Sequence, residues 1–301
     1  MSQVRKLFVA LAIAALPVIA GCSASTTAPS PTPFPMTRLY VTNDGGSGVV
    51  QIFAPTFSNT STPAVSFKDG ASSDVDDVAF DPLGRLYVGA FDLGKVDVFT
   101  PPFSNTSTST FSITTGISAP EGVDVDLATG NLGVANEGSS KVTLYTAPLS
   151  GTSAPAVTIS TGVVGPIGLK HDALSLYVAN SNGTITIYNA PYSNTSAPAV
   201  TIPVADVWGI FIDSVGNLWA VHRIAPLSVM MFTRPFTNTS TPALTIPTGT
   251  ADALYPAIDF AGDLFLSTGA GISVYLAPLS ASSTAAFSFP TVASNGIRFG
   301  P

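Results

Sequence analysis

Apolar residues in this chain recur in short runs, and no segment carries a helical period of useful length. One anchor is a leucine that opens a β-rich triplet: Leu39-Tyr40-Val41, Leu86-Tyr87-Val88, Leu132-Gly133-Val134, Leu176-Tyr177-Val178, Leu218-Trp219-Ala220 and Leu264-Phe265-Leu266. Alternate residues of a strand point to opposite faces, yet both faces of these triplets are apolar, as in a strand sandwiched between two layers. A second anchor follows each triplet, as in Val50-Gln51-Ile52-Phe53, Val96-Asp97-Val98-Phe99 and Ile185-Thr186-Ile187-Tyr188. Here Gln51, Asp97, Thr143, Thr186 and Ser273 alternate with β-branched or aromatic residues, which suits a strand nearer a rim. A third run, such as Pro198-Ala199-Val200-Thr201-Ile202, lies further out.

The repeat from Asp76 to Ile113 reads as four short strands joined by turns, and successive leucine anchors lie 47, 46, 44, 42 and 46 residues apart. Six copies of a four-stranded unit with that period predict an all-β, six-bladed β-propeller. The chain enters at a second strand (Leu39) and ends on an unpartnered first strand, Asn295-Gly296-Ile297-Arg298-Phe299. That strand is expected to pair beside Leu39, so that one C-terminal and three N-terminal strands complete the first blade and remove a sheet edge.

The propeller pattern fills residues 38–301. Residues 1–21 read as an export signal, with Arg5 and Lys6 followed by an apolar stretch from Leu7 to Ile19 that is short for a membrane span. The stretch ends Leu16-Pro17-Val18-Ile19-Ala20-Gly21-Cys22, which resembles a bacterial lipobox. The resemblance implies cleavage before Cys22, diacylation of its thiol and acylation of the new amine, which together anchor the chain durably to a membrane. An ordinary secretory signal with a chance cysteine is the alternative. Residues 22–37 carry the Ser/Thr/Ala/Pro-rich run of a tether. Ser23 resembles the outer-membrane-directed pattern, so the chain is expected on the cell membrane or the outer membrane.

Cys22 is the only cysteine, so no intramolecular disulfide holds the fold. Without Arg5 and Lys6, 9 of the 11 basic residues face 18 acidic ones, a net charge of about −9. Such a surface repels phosphate backbones, and nucleic acid is not an expected partner. The loops between third and fourth strands repeat Phe57-Ser58-Asn59-Thr60-Ser61, Phe103-Ser104-Asn105-Thr106-Ser107 and similar runs. Four of these match the N-glycosylation pattern, but beside a lipobox they read as turns, with Asn or Gly suited to positive φ and Ser/Thr bonding local backbone.

Catalytic signatures are scarce. His171 and His222 are the only histidines, and the sequence holds no Gly-x-Ser-x-Gly elbow, CxxC, HExxH, P-loop or Rossmann fingerprint. The acidic run Asp74-Val75-Asp76-Asp77 would carry raised pKa values if crowded.

The first strands, Pro120-Glu121-Gly122-Val123-Asp124, Pro166-Ile167-Gly168-Leu169, Trp208-Gly209-Ile210-Phe211-Ile212-Asp213 and Asn295-Gly296-Ile297, with Gly84-Arg85-Leu86-Tyr87-Val88 or Gly216-Asn217-Leu218-Trp219 downstream, resemble NHL-repeat propellers and their gluconolactonase-like relatives. The resemblance covers residues 38–301 and rests on six-fold recurrence. It implies a divalent metal in the central channel, held by Glu, Asn and Asp side chains just before the first-strand glycine. In that frame stand Asp76, Glu121, Ile167, Trp208, Pro256 and Asn295. Trp208 occupies the place of the family's catalytic Asp, which counts against lactone hydrolysis. Asp76, Glu121 and Asn295 are the candidate ligands for a cation such as Ca²⁺, with Asp77 an added carboxylate and Trp208 facing them. Water-solvated channel residues are the plainer alternative.

These features point first to a lipid-anchored envelope propeller, expected to be a monomer, that binds a glycan, a peptide or an envelope protein rather than catalysing a reaction. The runner-up is a metal-dependent hydrolase or lyase of the gluconolactonase-like kind, with Asp77 as base. An inert structural repeat is the third reading.

Overall fold

In the computed structural model the described residues are 37–301 apart from 44, 45, 250, 251 and 293. The export signal, Cys22 and all of the tether but Thr37 lie outside them. The described residues form six four-stranded antiparallel sheets arranged as the blades of a β-propeller. Strands are named a to d from the axis outward. In the first blade, strand a is Ser294–Gly300 and strands b to d are Arg38–Asn43, Val49–Phe53 and Val65–Lys68. Leu39 pairs with Phe299 and Val41 with Ile297, so the two ends of the propeller share one sheet.

Buried apolar side chains form six clusters, each shared by two neighbouring blades. Tyr40, Val88 and Phe99, for example, join blades one and two. This layered core explains the leucine triplets, whose two faces each meet a different blade. Burying a side chain of this size contributes ~1.5–3 kcal/mol. With no disulfide available, inter-blade packing of this kind holds the ring.

Strand c departs from the rim-facing expectation. Gln51, Asp97, Thr143, Thr186 and Ser273 are buried. Thr143 and Thr186 accept hydrogen bonds from the Asn136 and Asn180 side chains at 2.9 and 3.0 Å, and the Ser273 hydroxyl lies 3.1 Å from that of Ser288. Polar groups can stand between blades because each finds a partner there.

Two kinds of turn recur on one face of the ring. Between strands a and b, Asp81, Asp172, Asp213 and Asp259 each accept two turn amides through Oδ1, and Asp126 accepts that of Ala128. Their second oxygens take the Tyr87 hydroxyl, the Tyr177 hydroxyl and the Trp219 indole N–H in blades two, four and five. Each such turn is thereby pinned to the aromatic residue of its own strand b. Between strands c and d, the Ser58, Ser104 and Ser193 amides donate to a serine three residues on, so these repeats are turns. Their asparagines do not adopt positive φ. Instead Asn105, Asn194 and Asn238 accept backbone amides of the preceding blade at 2.8–2.9 Å and staple rim to rim.

Candidate functional site

Each strand a begins with a shift of register against strand b, which inserts an extra residue near the axis. The residues opening these bulges are Asp76, Glu121, Ile167, Trp208, Leu254 and Asn295. The residue after them is glycine in four blades because the next blade's backbone passes close by. A Cβ on Gly296 would lie 2.2 Å from the Asp76 carbonyl oxygen, and one on Gly122 would lie 2.4 Å from that of Ile167. Blade six differs from the expected frame. Pro256 pairs with Leu266, in the place of Val78 and Ile210, and Leu254 opens the bulge. Tyr255 there replaces the glycine on which the frame was aligned.

At this d–a mouth, so called for the loops that lead into it, the structure brings Asp76 and Asn295 together. The Asn295 side-chain amide donates to Asp76 Oδ1, and Asn295 Oδ1 is buried without a hydrogen-bond partner. Glu121 is buried in the adjoining blade. Trp208 is half-buried, its ring 4.2 Å from the Arg223 guanidinium carbon and its indole N–H without an acceptor. Asp77 does not join the mouth's other carboxylates, Asp76 and Glu121. It is 0% exposed, lies 3.1 Å from Lys170 Nζ and accepts the Val78 amide at 2.8 Å. Burial raises its pKa, while Lys170 and Arg298 oppose the rise.

Further along the axis, side chains cross from blade to blade. Tyr255 is fully buried, with its hydroxyl 3.5 Å from the Ile167 carbonyl oxygen. Burial, and then the carboxylates of Glu121, Asp77 and Asp76, push its phenol far up, so it stays neutral. Asp124 receives the Arg298 guanidinium on Oδ1, and on Oδ2 the His171 backbone amide at 2.7 Å and ring Nδ1 at 3.1 Å. Burial alone would raise Asp124, but Arg298, the His171 hydrogen bond and Lys170 hold it well below the usual carboxylate range. Sequence reasoning singles out none of Asp124, Lys170 and Arg298, and meets His171 only as one of two histidines without a catalytic partner. A signal existed: Asp124, Lys170 and Arg298 stand in register where other first strands place Ala79, Phe211 and Ala257.

His171 owes its place to a neighbour. Blade three carries Gly133 where the other blades carry an aromatic, and a Cβ there would lie 2.6 Å from His171 Cε1. The imidazole fills the room the missing aromatic leaves.

Beyond this network the axis opens, at the a–b mouth, into a cavity of about 520 Å³. Asp124, His171 and Arg298 form its inner end, Phe211, Phe260 and Phe299 line its walls, and the turn aspartates Asp126, Asp172, Asp213 and Asp259 surround it. Phe260 is 81% exposed. Among the described residues, no three His, Cys, Asp or Glu side chains group so as to hold a metal. The side-chain oxygens at the d–a mouth are those of Asp76, Glu121 and Asn295, of which Asp76 and Asn295 are shown in contact. The unpartnered Asn295 oxygen suits a hard cation, and Ile167, Trp208 and Leu254 contribute no side-chain oxygen.

The ring, its bulged inner strands and the residues they aim at the axis define a six-bladed propeller with the fold of gluconolactonase-like proteins. No protein-family model matches the sequence, and no curated protein matches it. Among solved structures, the periplasmic gluconolactonase of Pseudomonas aeruginosa is similar at 12% identity over 88% of this chain and 99% of that one, with a TM-score of 0.62. A Bacteroides fragilis protein provisionally named a 6-phosphogluconolactonase is 13% identical over 90% of this chain and 86% of its own, with a TM-score of 0.65. A chain of the nidogen/laminin complex is 14% identical over 86% of this chain and 97% of that one, also with a TM-score of 0.65. At such identities the likeness shows a shared fold.

Proposed function

We propose that this protein is a lipid-anchored propeller of the bacterial cell envelope that works by binding, with the a–b mouth as its ligand site. The observation that carries the reading is the cavity of about 520 Å³, walled by aromatic rings and ended by a fixed polar cluster. A concave, largely apolar pocket with a few placed polar groups is the usual form of a small-molecule site. Envelope placement rests on Cys22 and the export signal of residues 1–21. The nidogen/laminin likeness is consistent with a propeller used for binding.

Two experiments test the reading. Fatty-acid labelling and membrane fractionation of the wild type against Cys22→Ala test the anchor, and label retained by the variant would refute it. Ligand-detected NMR with mixed cationic, neutral and anionic small molecules tests the cavity, comparing the Cys22→Ala chain with a version that also carries Ala173→Trp, at a residue of the cavity lining, to fill it. Binders that vanish on filling are expected. A folded chain that binds no member of any class would overturn the reading.

A second reading is favoured by the buried, unpartnered Asn295 oxygen beside Asp76. Here Asp76, Glu121 and Asn295 would hold a divalent cation at the d–a mouth. When bound, such an ion polarises a substrate carbonyl, as lactone hydrolysis requires. The chain's own contribution would be to orient the carbonyl against Trp208 and to keep the mouth dry. Thermal unfolding with chelator and then with Ca²⁺, Mg²⁺, Mn²⁺ or Zn²⁺ tests it. A midpoint that no ion raises, or that rises equally in Asp76→Ala/Glu121→Ala, would exclude the site.

A further inference from the structure

The lining of the a–b mouth has a charge pattern that selects among ligand classes. Five aspartates line the cavity, Asp124, Asp126, Asp172, Asp213 and Asp259, against one cation, Arg298. Arg298 is bonded to Asp124, so the inner pair is neutral. Asp172 is bridged by Arg234. Asp126, Asp213 and Asp259 form no salt bridge among the described residues, although all three serve as turn caps. Asp259 uses Oδ1 for the amides of Ala261 and Asp263, at 2.8 and 2.9 Å, and among the described residues its Oδ2 makes no hydrogen bond.

His171 stands at the inner end of the cavity. Its side chain is 7% exposed, and it lines both this cavity and an adjoining one of about 200 Å³. Asp124 is held ionised and accepts only, so ring Nδ1 carries a proton toward it. Among the described residues ring Nε2 makes no hydrogen bond, and it lies on the side of Gly133. The cavity thus offers carboxylates without countercharges and the faces of Phe211, Phe260 and Phe299.

From this we infer that the a–b mouth binds an organic cation: an ammonium or guanidinium group on an apolar body, either free or as a lysine or arginine side chain of a peptide. The cationic N–H groups are donors for the carboxylates, and aromatic faces attract cations by their quadrupole. An anion would meet a single guanidinium whose charge Asp124 already balances. The inference rests on the reading that this mouth is the binding site.

The test uses the Cys22→Ala chain and three probes of one shape, 2-phenylethylammonium, 2-phenylethanol and phenylacetate, followed by the amides of N-acetyl-lysine and N-acetyl-arginine. Binding of the ammonium is expected at least about tenfold tighter than that of the alcohol, with phenylacetate weaker still. Asp259→Asn keeps the Oδ1 turn acceptor and is expected to weaken the ammonium about fivefold while leaving the alcohol unchanged. Phe260→Ala, at an exposed site where folding is not at stake, is expected to weaken it by a similar factor. Tighter binding of the lysine or arginine amide than of the free amine would support the inference with a peptide as the source. Alcohol or phenylacetate binding as tightly as the ammonium, and lost on Ala173→Trp, would overturn the cation class and leave the binding reading standing. Ammonium binding indifferent to both Asp259→Asn and Phe260→Ala would place it elsewhere and also overturn the inference.

Discussion

Replacing Lys170 with methionine removes one charge from the axis of the ring and leaves its partner behind. Asp77 is 0% exposed and Lys170 6% exposed, with 3.1 Å between Nζ and Oδ2. Apart from the ammonium, Asp77 has the Val78 amide at 2.8 Å and the Val123 amide at 3.3 Å. Two amides do not replace the solvation of a carboxylate, and stranding one partner of a buried pair costs ~3–5 kcal/mol. Against a total stability of ~5–15 kcal/mol, that is a large fraction. The Asp77→Asn/Lys170→Met double variant leaves no charge and is expected within ~1 kcal/mol of the wild type, because replacing both members of such a pair is close to neutral.

The sign with pH follows from Asp77. Burial lifts its pKa in the folded chain, against the opposing pull of Lys170 and then Arg298. A folded state that keeps a proton which the unfolded state has lost grows less stable as pH rises above the unfolded value, about 4. Without Lys170 the folded pKa climbs further and the window widens. Lys170→Met should therefore cost little at pH 4 and its full amount at pH 8. Urea unfolding followed by tryptophan fluorescence at both pH values measures this. A cost below ~1 kcal/mol at pH 8 would refute the account, as would an equal cost at both pH values or a double variant no better than the single one.

Asp69 offers a related expectation: burial and then the Asp97 carboxylate raise it to about 8. Folding stability should fall as pH rises from about 4 to about 8, and Asp69→Asn should flatten that slope and stabilise the chain at pH 8 by ~1–3 kcal/mol. An unchanged slope in thermal melts would remove Asp69 from the explanation. Gly296→Ala places a Cβ 2.2 Å from a backbone oxygen of the next blade, so it should cost ~1–3 kcal/mol by urea unfolding. A neutral result would mean that the inner strands tolerate a wider spacing at the axis.

Much of the architecture was legible in the sequence because each blade is one local unit repeated. The leucine triplets, the second anchors and the outer runs marked strands b, c and d, and the phase of the repeat led the Asn295–Phe299 segment to Leu39. The bulge frame was legible wherever glycine marked it. It failed in blade six because Tyr255 takes the glycine's place, which moved the expected residue from Leu254 to Pro256. The Ser/Thr loops were recognised as turns, but the asparagines' staple to the preceding blade spans 36 to 39 residues and leaves no local mark.

What the sequence determined by itself was therefore the repeating unit and its number, since these depend on periods and turns within about fifty residues, and through the phase of that repeat its closure. The tertiary structure alone decided which side chains meet on the axis. Asp77 reaches Lys170 across 93 positions, and Asp124 reaches Arg298 across 174. His171 occupies space that Gly133, in another blade, leaves vacant. Such pairings depend on side-chain volume and charge gathered from six blades at one narrow axis, where the filling of one end and the opening of the other are settled only when the ring closes.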